Sequence, residues 1–219
     1  MTTQATPAAS WRKLALQAGA GAVAGGGGML VAMELIAGQS GVHWQASQIV
    51  LAGVGFIYFL MGAFVGVGVL APRLLGQRML NFADAEEIVE ERRSMAGSSL
   101  TCVAVGAALF LLAYATVDGA AGPVTAAAAF WILVALLVAG TAVSILMWRS
   151  LDELWRQLTL DASAIAGNIL IAMCVVWGGG AAAGLVAGPH PLDLISATFG
   201  VFLLASFVAA GRRGMMGPP

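Results

Sequence analysis

Four side chains in this sequence could bind a metal ion or move a proton: Glu34, His43, His190 and Asp193. Imidazole and carboxylate groups together suit Zn²⁺ or Cu²⁺. Glu34 also lies inside a long apolar block, where a carboxylate is costly and by default suggests proton transfer or ion binding. No local spacing such as H-x-x-x-H joins the four residues. They are candidates for a metal site. In the simpler interpretation, Glu34 is an interfacial carboxylate, His43 and His190 are ordinary loop residues, and His190 belongs to the turn that starts the last helix.

The composition excludes several classes of function. The chain has 219 residues, 60% of them hydrophobic and 10% charged, whereas a soluble domain has about 25% charged residues. A net charge of -1 argues against a nucleic-acid partner, which needs a basic face. The sequence contains no P-loop, G-x-S-x-G, H-E-x-x-H or C-x-x-C motif, so no enzyme activity is predicted. Cys102 and Cys174 lie in apolar runs and are predicted to be unpaired, buried side chains.

Six apolar blocks are each long enough for a helix to cross the roughly 30 Å of a bilayer's hydrocarbon. We therefore predict an all-α membrane protein, a compact bundle of six transmembrane helices forming one domain over residues 14–210. The first block is interpreted as a retained helix, because its apolar run continues without the break that follows a cleaved signal peptide. The predicted spans are residues 14–37, 49–70, 98–116, 124–147, 165–186 and 192–210.

The basic residues predict which side of the membrane each loop occupies. Loops rich in Lys and Arg stay in the cytoplasm, and in a six-helix arrangement all ten basic residues fall on one side. Both the N-terminal tail, residues 1–13, and the C-terminal tail, residues 211–219, are then cytoplasmic. The outer loops are short and carry no Lys or Arg. We expect a multi-pass protein of a bacterial inner membrane, with bound lipid and no other cofactor.

The two cytoplasmic connectors are predicted to be partly helical. Residues 72–96 hold much of the charge, and four carboxylates there share one broad helix face that could dock a partner: Glu86, Glu87, Glu90 and Glu91. In the second connector, Ser150 and Glu153 match a capping box. An apolar stripe that includes Leu154 and Trp155 follows at helical spacing, and it predicts a short turn lying among the lipid headgroups before the fifth span.

Three pairs of glycines are spaced four residues apart within apolar blocks. Small residues at this spacing let two membrane helices approach closely, so these pairs predict tight helix–helix crossings, within the bundle or with another subunit. An alternative interpretation makes the glycine runs at residues 25–28 and 178–180 hinges in broken helices. The pairs are Gly21 and Gly25, Gly62 and Gly66, and Gly180 and Gly184.

Three functions fit these patterns. The first is a non-catalytic accessory or structural subunit that packs against other membrane proteins, or against itself, through glycine-rich helix faces. The second is a small transporter or channel, with the intramembrane polar residues Glu34 and Asn168 on its path. The third is an outer-face metal site or membrane enzyme built on the four residues named first. Few polar side chains occur within the spans, which favours the first function.

Overall fold

The structure, a computed structural model, describes residues 44–70, 85–118, 124–148, 151 and 153–213, with the backbone alone for residues 85–94 and Met147. Within these residues, five helices are long and apolar enough to cross a membrane. This all-helical architecture fits an integral multi-pass membrane protein. The first predicted span, residues 14–37, lies outside the described residues. The described chain divides into two compact units, residues 44–147 and 148–213, and each is described by itself.

The first unit contains three helices: α1 (Ala46–Leu70), α2 (Ala85–Ala115) and α3 (Ala126–Met147). Helix α2 begins in the polar connector and continues without interruption into the predicted third span. The predicted helical connector and the span are therefore one helix. Helix α3 starts after Thr125, whose hydroxyl accepts a hydrogen bond from the Ala128 N–H at 3.2 Å. This side chain satisfies one of the N–H groups that the first turn of a helix leaves without a partner.

Helices α1 and α2 form an antiparallel pair whose backbones touch. Glycines supply the contact: a Cβ atom at Gly55 would lie 2.8 Å from the carbonyl oxygen of Gly106, and one at Gly62 would lie 2.7 Å from that of Ser99. A Cβ atom at Gly106 would collide with the backbone nitrogen of Phe59. A side chain of any size is therefore excluded at these positions unless the two helices separate.

Two buried polar side chains form hydrogen bonds across this pair, one along its length and one near an end. The Ser99 hydroxyl donates to the carbonyl of Gly62 at 2.7 Å. Near one end, the Gln48 side chain is only 3% exposed. Its amide donates to the carbonyl of Thr116 at 2.7 Å, and its oxygen accepts from the N–H of Gln45 at 2.8 Å. Gln48 thus satisfies one backbone group at the start of α1 and another just beyond the end of α2, which fixes how the helices align.

Helix α3 packs against α2 through a narrow strip in which Ala129 and Leu133 are buried. Most of its remaining described surface is exposed and apolar. Trp131 and Val138, for example, are each 65% exposed. Such a surface is stable where lipid or another apolar helix covers it, because lipid tails are as apolar as these side chains.

The second unit is a pair of antiparallel helices. Helix α4 (Glu153–Met173) continues through a π-helical segment (Cys174–Gly178) into the short α5 (Gly179–Ala182), and α6 (Pro191–Arg212) returns beside α4. Alanines form much of the contact. Arg213, just after α6, links that helix to α4: it donates to Asp161 at 2.6 and 3.0 Å and to Gln157 at 2.9 Å. The buried residues of the pair are Ala162, Ala166, Leu192, Ser196, Ala205 and Ala209.

The predicted headgroup-level turn before the fifth span is not a separate element. Leu154 and Trp155 lie in the first turns of α4, which runs unbroken from Glu153 to Met173. No proline interrupts this stretch, and side chains within it stabilise its first turns: Glu153 accepts hydrogen bonds from Arg156 at 3.4 Å and Gln157 at 2.7 Å. The polar start and the apolar remainder therefore form one helix that is longer than the predicted span.

We expect Gly106→Ala to lower the free energy of unfolding by about 1–3 kcal/mol, the usual cost of adding a methyl group to a filled contact. The measurement is reversible unfolding in mixed detergent micelles. Gly53→Ala is the matched control, because a Cβ atom there meets nothing within 4 Å, and it should leave stability unchanged or slightly raised. Equal effects of the two substitutions would contradict the close contact of α1 and α2.

Candidate partner-binding surface

Several helical glycines face open space instead of a neighbouring helix. A Cβ atom placed at any of six helical glycines would meet nothing within 4 Å, and all six lie within candidate spans alongside exposed apolar side chains. Glycine in a helix costs up to about 1 kcal/mol relative to alanine, and nothing in the described chain offsets that cost at these positions. Close approach by another helix would do so. The six are Gly53 on α1, Gly97 on α2, Gly140 on α3, Gly167 on α4, Gly178 in the π-helical segment and Gly179 on α5.

The predicted glycine pairs lie in different surroundings in the structure. Gly62 and Gly66 both face Ser99 of α2, so this pair lies at a helix–helix contact within the chain. Gly180 packs against Val186 of the following loop, whereas Gly184 lies beyond the helix end. Gly21 and Gly25 are outside the described residues.

Gly184 ends the fifth predicted span earlier than residue 186. Its φ of 73° lies in the left-handed region that favours glycine. The Gly184 N–H donates to the carbonyl of Ala181 and the Leu185 N–H to that of Gly180. This is the Schellman arrangement that closes many helices. The Trp177 indole N–H also donates to Ala187 at 3.0 Å, which holds the loop against the helix.

The π-helical segment Cys174–Gly178 ends at Gly178, the first residue of the Gly178–Gly180 run that the sequence predicted as a possible hinge. A π turn widens the helix by one residue, and such turns are frequent at functional sites. Cys174 is exposed here, not buried as predicted, and neither cysteine forms a disulfide. The widened backbone and the glycines together place a locally irregular surface near the C-terminal end of an apolar helix.

His190 and Asp193 form the start of α6. Nδ1 of His190 accepts from the Leu192 N–H at 3.3 Å, and the Asp193 carboxylate accepts from the His190 N–H at 2.9 Å. This reciprocal pair is a capping box, followed by Pro191 at the first helical position, where proline is favoured. The two candidate metal ligands therefore have a structural role at the helix start. Their proposed companions, Glu34 and His43, lie outside the described residues.

No cluster of three or more His, Cys, Asp or Glu residues occurs in the part of the chain that the structure describes. The acidic connector lies at the start of α2, whose backbone is helical from Ala85. The predicted docking face lies outside the described side chains; its residues are Glu86, Glu87, Glu90 and Glu91.

Asn168 is exposed on α4 and is only partly satisfied. Its side-chain amide donates to the carbonyl of Ala164, one turn earlier, at 2.8 Å. An asparagine side chain has two N–H donors and an oxygen acceptor, so one donor and the acceptor have no partner among the described residues. Thr198 and Ser206, by contrast, each use their single hydroxyl proton in a bond to the carbonyl four residues earlier.

Sequence reasoning missed the residues that join α1 and α2. The predicted span 49–70 leaves Gln48 just outside it, and the glycine-pair pattern does not include Gly55, Ser99 or Gly106, because none of them has a glycine four residues away. A signal existed for Gln48: glutamine at the third helical position can accept from the backbone N–H of the capping residue. Its bond to Thr116 joins residues that are 68 positions apart, and no local pattern shows it.

Comparison of the chain with protein-family models, with curated proteins and with solved structures finds no match. The functional argument therefore depends on the residues themselves.

We expect Asp193→Ala to lower the free energy of unfolding by about 0.5–2 kcal/mol, the usual cost of losing a capping side chain. Unfolding in mixed micelles measures the effect. Asp193→Glu should retain most of the stability, because glutamate is the usual residue at this position of a capping box. If both substitutions left stability unchanged and removed a stoichiometric metal, the carboxylate would be a ligand and not a cap.

Proposed function

We propose that the protein is a non-catalytic integral membrane subunit that binds other membrane proteins through the exposed faces of its helices. The observation that supports this most directly is the set of helical glycines with open space around them, Gly140 and Gly167 foremost. Exposed leucine or valine would be equally stable against lipid. Glycine gains nothing from lipid contact, whereas it permits another helix to approach the backbone.

The same argument separates two uses of glycine in this chain. On α1 and α2, Gly55, Gly62 and Gly106 are filled by contacts within the chain. Gly53 on α1, Gly97 on α2 and the glycines of α3 and α4 have no such neighbours among the described residues, although all of them lie within candidate spans. The proposal assigns the second group to contacts with a partner.

Co-purification tests the proposal. The protein, extracted in a mild detergent, is expected to bring down a membrane protein in a stoichiometric amount, identified by mass spectrometry. Gly140→Leu and Gly167→Leu should reduce that amount without lowering the yield or thermal stability of the protein itself, because the added side chains meet open space.

Val138→Leu is the matched control, since it enlarges a side chain that is already 65% exposed, and it should leave co-purification unchanged. A wild-type protein that always emerged alone and as a monomer would overturn the proposal. Loss of yield in the glycine variants would instead show that those positions are filled within the chain.

We further propose that both termini face the cytoplasm of a bacterial cell and that the chain crosses the inner membrane six times. The distribution of the ten basic residues supports this. In the variant Ser40→Cys, with both native cysteines replaced, a membrane-impermeant thiol reagent should label the protein from the outer face. Labelling that occurs only from the cytoplasmic side would contradict the six-span orientation.

A further inference from the structure

Helix α4 and the start of the π-helical segment that follows it carry a row of exposed residues with the spacing of a helix–helix contact. Ala164, Asn168, Ile171 and Val175 follow one another at intervals of four, three and four residues, and all four are exposed. Intervals of three and four residues place side chains on one face of a helix, where a partner helix can contact them along its length. Ala162 and Ala166, which are buried, lie on the opposite side of α4. We call these four exposed residues the α4 seam.

Asn168 places an amide in the α4 seam that needs further hydrogen-bond partners, which lipid tails cannot supply. It follows Asp161 by seven residues, or about 10 Å along the helix, so it lies within the apolar part of the candidate span Glu153–Ala182. The side chain is exposed, and its bond to Ala164 leaves one N–H and the side-chain oxygen without a partner among the described residues. Unsatisfied polar groups are costly in hydrocarbon, and asparagine in a membrane helix characteristically bonds across to another helix.

A second copy of this chain fits the requirement. The free groups of Asn168 are one donor and one acceptor, so two identical side chains can satisfy each other across a two-fold axis, as in other self-complementary interfaces. The membrane imposes one orientation on every copy, which places the two Asn168 residues at equal depth in parallel helices. Ala164 is small enough to let the helices approach, and Ile171 and Val175, 66% and 68% exposed, supply the apolar contact.

The first predicted span fits less well. In residues 14–37 the uncharged polar residue Gln17 and the carboxylate Glu34 lie towards the two ends. At the distance from the charged end that corresponds to Asn168, the sequence offers Ala20 and Gly21. These residues would leave the amide unsatisfied.

We propose that the protein forms a parallel two-fold dimer through the α4 seam, with Asn168 hydrogen-bonded to Asn168 of the second copy. The proposal rests on the proposed function, because both assign exposed helix faces to protein contacts. It goes further in naming the surface and the partner.

Cysteine cross-linking in native membranes tests the geometry. In the background Cys102→Ser/Cys174→Ala, single cysteines replace Ala164, Ile171 or Val175, and mild oxidation should produce disulfide-linked dimers. The control is Ile169→Cys, which is also exposed, at 44%, but lies on another side of α4. Dimers that form equally at all four positions, or at none, would overturn the α4 seam as the interface.

Substitutions of Asn168 test the hydrogen bond. Energy transfer between labelled copies, diluted in lipid vesicles, should show a dimer that Asn168→Leu weakens roughly three- to thirtyfold, the range of interhelical polar contacts in membranes. Asn168→Gln retains the amide and should lose less. Thr198→Ala, on α6, is the control, because its hydroxyl bonds within its own helix; it should leave the dimer unchanged.

The outcomes separate this inference from the proposed function. A monomer that co-purifies with a different membrane protein would overturn the dimer and leave the proposed function intact. A monomer without any partner would overturn both. A dimer that Asn168→Leu does not weaken would overturn the hydrogen bond assigned to Asn168.

Discussion

The contact between the backbones of α1 and α2 is the constraint on which the first unit depends. Between membrane helices no hydrophobic force favours association, because lipid is as apolar as the side chains, so packing and hydrogen bonds must supply the energy. Gly55, Gly62 and Gly106 let the backbones meet. That approach brings the Ser99 hydroxyl within 2.7 Å of the Gly62 carbonyl. The glycines and the buried hydrogen bond therefore stabilise the same alignment.

In the second unit, other residues stabilise the contact between two helices. Alanines take the place of glycines between α4 and α6, and the ionic contact between Arg213 and Asp161 lies at the polar end of the pair. Half-exposed ion pairs of this kind contribute little stability. On another side of α4, Asn168 and Gly167 are a polar and a small residue that make no contact with another described helix. This contrast between used and unused small residues is what supports an assembly role for the protein.

Much of the helical architecture could be predicted, because spans of apolar residues determine it directly. The start of α6 at Pro191 followed from the flanking prolines, and the helical character of the connectors from their caps and periodicity. The points at which helices continue, change or end were harder to predict from the sequence. Helix α4 runs continuously from Glu153, since local pattern cannot distinguish a bend from a straight continuation. The partner of Gln48 depends on a tertiary contact, and no sequence pattern indicated the π-helical segment. The left-handed Gly184 is predicted as a helix-face residue because its spacing from Gly180 fits both interpretations.

The absence of side chains between α1 and α2 at Gly55 and Gly106 has a mechanical consequence. Helices separated by a layer of side chains can slide past each other by small steps, as rotamers in that layer change and repack. Where one backbone rests on another, no such layer exists to absorb movement, and Gln48 holds the end of the pair in register. Any working motion of the protein must then carry α1 and α2 together as a single rigid body.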